Sequence, residues 1–160
     1  MIQKVQNYIQ DVNFNKEANE DKHRLTFLIT LEIILLGLTL LIQEYLRPNK
    51  VFKTELGVFL MGTLPSLFGA AAYVIIIFVF HKMIQRHHQK FQLNQSLFIA
   101  NSISFSGLTL WELIRTVIYP LDFWDIAASF AGCIISTILI YTLYQADVLL
   151  IDKHTDKQKI

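Results

Sequence analysis

Apolar and polar positions fall in long blocks along this chain rather than in short periods. Four apolar blocks, Leu25 to Ile42, Leu56 to Phe80, Leu97 to Ile118 and Ile126 to Ala146, are separated by short polar stretches. A bilayer core of roughly 30 Å takes about 20 apolar residues in a helix, so each block predicts a membrane-crossing helix. The second and fourth blocks carry no charge, and the first carries only Glu32. The third is the most polar, with Asn101, Ser102, Ser104, Ser106 and Thr109 along it and an uncharged part that ends at Trp111. Polar side chains in a membrane are best satisfied between helices, so this third helix is expected to be the one most enclosed by the others.

The same pattern divides the chain into a polar N-terminal segment (1–24), a four-helix transmembrane domain (25–146) and a tail (147–160). Ile2, Val5, Ile9 and Val12 recur at helical spacing. Either an amphipathic helix on the membrane surface or a solvated helix fits that spacing. The following NFNKEANEDKH stretch breaks the pattern, and the tail reads as a frayed continuation of the last helix. The first residues are polar, so no cleavable signal peptide is expected and the first apolar run would serve as an uncleaved anchor.

Composition agrees with the block pattern. With 53% hydrophobic residues, 17% charged and a mean hydropathy of +0.41, the expected class is an all-α polytopic membrane protein with four transmembrane helices. Ten of the 14 Lys and Arg residues lie in the N-terminal segment, the second loop or the tail. The positive-inside rule then predicts both termini in the cytoplasm and the first and third loops outside. A net charge of +1 and the lack of a phosphate-cradling glycine loop give no support for nucleic-acid binding. Cys133 lies alone inside the last block and reads as a small packing residue. His81, His87 and His88 flank the basic second loop, and His23 and His154 stand in polar ends. None suggests a metal or catalytic site, and neither a metal nor a cofactor is expected.

Candidate chemistry gathers where the third block meets the fourth. Glu112 and Arg115 close one helix, Asp122 and Asp125 open the next, and a turn containing Pro120 joins them. Ionisable groups beside membrane-length apolar sequence are costly to desolvate and mark candidate sites. Glu112 and Arg115 share a helical face and predict a local ion pair. Asp122 is placed to cap the last helix. Together, three carboxylates and a guanidinium could also hold a cation, a lipid headgroup or an amine. A second candidate is Glu32, seven positions after Leu25 and so about 10 Å into its helix. In an antiparallel neighbour Asn101 and Ser104 fall at similar depth, which predicts a polar cluster of Glu32, Asn101 and Ser104. Such a cluster reads first as structure, and otherwise as a proton or substrate site. Ala128, Gly132 and Ser136 are spaced four apart, a small-xxx-small face suited to close packing against Ser66 and Ala70.

The Glu112 to Gly132 stretch resembles the second half of the VanZ-like family of small bacterial membrane proteins. The pattern is carried by Glu112, Arg115, Leu121-Asp122, Asp125, Ser129 and Gly132, and GTLPSLFGAAAYVIIIF from Gly62 to Phe78 resembles the family's Leu-Pro start of a membrane helix. Many members have Gln in place of Arg115, Arg where Tyr119 and Pro120 stand, and Asn in place of Ser129. The resemblance implies four helices in the bacterial cytoplasmic membrane with an acidic outer motif, in a family named for a member linked to glycopeptide resistance. It carries neither that resistance nor a catalytic role to this chain.

Three function classes follow. The first is a non-enzymatic envelope protein that binds or shields a lipid or cell-wall component through Glu112, Arg115, Asp122 and Asp125. The second is a small transporter or channel, as a homo-oligomer, using Glu32 with the polar third helix. The third is a lipid-modifying enzyme whose carboxylates hold a metal or act as acid and base. The third lacks an evident nucleophile-base pair, so the enzymatic reading is the least favoured.

Overall fold

A computed structural model describes the backbone of residues 2–88, 92–118 and 120–157, and the side chains of residues 21–84, 92–118 and 120–145. Every element among the described residues is helical. Helix α1 spans Ile2–Leu40 and continues into a π-helical turn, Leu41–Leu46, while α2 spans Glu55–His88, α3 Leu93–Arg115 and α4 Phe123–Lys157. All four are long and apolar enough to cross a membrane. The protein is therefore an all-α, four-helix membrane protein.

Local sequence explains where these helices start and stop. Widening of the last turn of α1 is closed by Arg47 N–H donating to the Ile42 carbonyl at 2.9 Å, and Pro48, which has no N–H, follows. Lys50 takes a positive φ of 49° in the turn, and Thr54 then caps α2 through Gly57 N–H to Thr54 Oγ1 at 3.2 Å. Any Cβ at position 57 would lie 2.7 Å from Phe52 Cβ, so only glycine fits beneath that cap. At the other end, α1 runs unbroken through NFNKEANEDKH. That stretch holds neither Gly nor Pro, so it interrupts the apolar face without interrupting the helix. The side chains of Ile2, Val5, Ile9 and Val12, and of His87, His88 and His154, lie outside the described residues.

Helix α2, not α3, is the enclosed element, which corrects the expectation drawn from polarity. In α2 44% of the apolar span is buried, against 22% in α3. Packing is most extensive between α2 and α4, and α2 also carries α1 and α3 on its sides. The reason is side-chain size rather than polarity: Ala70, Ala71 and Ala72 are all buried and let neighbouring backbones approach. The core continues through Val74, Ile75 and Phe78 to Ile140 and Tyr144 of α4 and Leu28 of α1. Ser102 and Ser106 of α3 instead face outward.

Contacts at the helix ends define the bundle's polarity. Lys82 is ion-paired with Asp21 and stacks 3.7 Å over the Tyr144 ring, while His81 Nδ1 and Ser96 Oγ share a 2.9 Å hydrogen bond. Ser66, Glu112, Arg115 and Asp125 meet at the opposite end. Large exposed apolar side chains, among them Ile33, Phe80, Phe98 and Ile138, cover the outer surface, as lipid contact requires.

Candidate functional site

The polar site at the Asp125 end is assembled by three helices. Helix α4 starts where Asp122 Oδ1 accepts the Trp124 N–H at 2.9 Å, so Asp122 acts as the expected helix cap. One turn further on, Asp125 turns inward and is only 6% exposed. Its Oδ1 accepts a hydrogen bond from Ser66 Oγ of α2 at 2.9 Å, and its Oδ2 faces Arg115 Nη2 of α3 at 3.8 Å. Arg115 also donates through Nη1 to Glu112 Oε1 at 3.1 Å, the three-residue pair expected from spacing. Glu112 is 8% exposed and the Arg115 side chain 36%, so the pair is half-buried, with its carboxylate inside and its cation at the surface. Arg47, at the C-cap of the π-turn, adds a second positive charge whose field reaches Asp125.

Chemically, this is one guanidinium held between two buried carboxylates, with a serine hydroxyl fixing the second carboxylate. The Arg115 side chain remains 36% exposed, so the network reaches the surface through its cation. Around it stand exposed Trp111, Phe123 and Trp124, and Trp124 meets Phe59 of α2 edge-on at a centroid distance of 5.4 Å. Amphipathic aromatics of this kind favour the headgroup level of a bilayer. Asp122 is occupied at the cap and does not enter the network. Among the described residues no three His, Cys, Asp or Glu side chains come close enough to hold a metal ion.

The packing of α4 on α2 places this network. Ser136 Oγ donates to the Ala71 carbonyl at 3.0 Å, and a Cβ built at Gly132 would lie 2.3 Å from the Leu67 carbonyl oxygen. Gly132 and Ser136 thus lie on the seam against the Ala70 side of α2, whereas Ser129 is buried more deeply than Ala128. Ser66 was legible as a small residue near Pro65, but its bond to Asp125 spans 59 positions and leaves no local signal.

The polar cluster expected around Glu32 does not form. Asn101 Nδ2 donates to the Leu97 carbonyl at 2.8 Å and to Thr137 Oγ1 of α4 at 2.7 Å. Ser104 is buried with its hydroxyl unbonded, and Glu32 lies on the α1 face against α2. The side chains turn to different neighbours, Asn101 to Thr137 of α4 and Glu32 toward α2. Asn101 and Thr137 instead line an open groove of about 510 Å³ between α3 and α4, together with the exposed Ser102 and Ser106 and with Phe105 and Phe130. Lys82, which the sequence places at the start of the basic second loop, is 8% exposed against the Tyr144 ring. Its position just past a long uncharged run was the one available signal.

Fold and site together define a four-helix membrane protein with a buried Glu-Arg-Asp network at one end. No protein-family model matches the chain, nor does any curated protein or solved structure.

Proposed function

We propose that this chain is a VanZ-like membrane protein of the bacterial cell envelope that binds or shields a lipid or cell-wall component, without catalysis, at the Glu112-Arg115-Asp125 network. One observation carries the reading: Glu112 and Asp125 are buried from separate helices around a single partly exposed guanidinium. Capping explains Asp122 and pairing explains Glu112, but neither calls for Asp125 to be brought against Ser66 and Arg115 together. A headgroup bearing both phosphate and amine matches that arrangement, with phosphate toward Arg115 and amine toward the carboxylates. Exposed Trp111 and Trp124 support a headgroup-level position for the same end. The distribution of Lys and Arg supports an outer-facing site in a bacterial cytoplasmic membrane, with both termini inside.

The test is native mass spectrometry of the purified protein with extracted envelope lipids. Wild type and Glu32→Ala are expected to retain a bound lipid, and Asp125→Ala to lose about tenfold in affinity, a change of roughly 1.4 kcal/mol. An Asp125→Ala variant that folds normally and binds as wild type does would sink the reading.

A further inference from the structure

Glu32 occupies a core position that the proposed function leaves unused. Leu28, Glu32 and Ile42 lie on the seam that α1 presents to α2, and they are 0%, 8% and 4% exposed. Its level in the bundle follows from the Asp21-Lys82 pair, which fixes the antiparallel register of the two helices. Counting equally along both from that pair brings Glu32 to Ala71, about 16 Å from the paired end. Ala71 is the residue whose carbonyl accepts the Ser136 hydroxyl, in the tightest part of the bundle.

No counter-charge exists at this depth. Helix α1 has no other charged residue between Arg24 and Glu44, and α2 has none between Glu55 and Lys82. Neither α3 between Leu93 and Glu112 nor α4 between Asp125 and Asp147 supplies one. On α2, the element that α1 packs against, the stretch within about one turn of Ala71, from Phe68 to Ile75, holds Tyr73 as its one titratable side chain. Tyr73 is half exposed on α2, and Cys133 is buried on α4. Among the described residues the Glu32 carboxyl has neither a hydrogen-bond nor an ion partner. An ionised carboxylate at such a place costs at least about 2.5 kcal/mol, whereas the neutral acid avoids that cost.

We propose that Glu32 is a proton-binding site in the middle of the membrane. Its carboxyl holds a proton while α1 is seated on α2. The site is independent of the network at Asp125, so either reading stands or falls alone.

A hydrophobic carbodiimide tests it. The acid O–H adds across one C=N bond: the carboxyl oxygen joins the central carbon, the proton goes to nitrogen, and an O-to-N acyl shift leaves a stable N-acylurea. Nothing is released and no oxidant is needed, but the reaction requires the protonated acid. The full chain in lipid nanodiscs is treated with dicyclohexylcarbodiimide, or in parallel with a water-soluble carbodiimide, and modified peptides are mapped by mass spectrometry. The expected result is an adduct on Glu32 with the hydrophobic reagent alone, lost as pH rises and lost in Glu32→Gln. An unmodified Glu32 in folded wild-type protein, or equal modification by both reagents, overturns the proposal.

Discussion

At the scale of single residues, the site depends on how two buried carboxylates share one cation. Removing Arg115 leaves the buried carboxylates of Glu112 and Asp125 with only the more distant Arg47 as a cation, and leaving buried charged groups unpaired in this way costs about 2 kcal/mol. Arg115→Ala is therefore expected to lower the melting temperature in detergent more than Asp122→Ala, which removes only a cap worth about 1 kcal/mol. Equal losses in the two variants would mean that the network is not held by its charge. The glycines give a cleaner contrast. Gly132→Ala would drive a Cβ into the Leu67 carbonyl and is expected to cost about 2 kcal/mol through forced separation of α2 and α4. Gly37→Ala meets nothing within 4 Å and should be neutral or stabilising. Thermal unfolding of both variants checks the pair. Much at this scale was legible: the Glu112-Arg115 pair and the Asp122 cap follow from spacing along one helix. The Ser66-Asp125 bond was not, because it depends on how two helices are rotated against each other.

At the scale of helices, length and hydropathy identify all four crossings, but they do not say which face of each helix meets which neighbour. Polarity suggested that α3 would be enclosed, yet the alanine run of α2 makes that helix the centre. Backbones approach most closely where side chains are smallest, and Ser102 and Ser106 are left facing outward. Residue counts set Glu32, Asn101 and Ser104 along their helices, but not which neighbour each one meets. Asn101 turned to Thr137. A double-mutant cycle of Asn101→Ala and Thr137→Ala is expected to give a coupling of about 0.6 kcal/mol, in line with hydrogen bonds between membrane helices. A cycle of Asn101→Ala with Glu32→Ala should give none, and measurable coupling there would contradict the observed packing.

For the molecule as a whole, the two ends differ in chemistry. One end pairs Lys82 with Asp21 beneath Tyr144, and the other holds the Glu112-Arg115-Asp125 network inside a band of exposed Trp and Phe. The positive-inside bias predicts the second end outside, so a cysteine placed at position 122 is expected to react with an impermeant maleimide on intact cells. Reaction only after lysis would reverse the orientation. The central claim, that the network receives a headgroup, is tested most directly by an electron cryomicroscopy structure in nanodiscs of native envelope lipids. The expected result is headgroup density within hydrogen-bonding distance of Arg115 or Asp125. A well-resolved map with Arg115 closed between Glu112 and Asp125, and no density beside it, would contradict the claim.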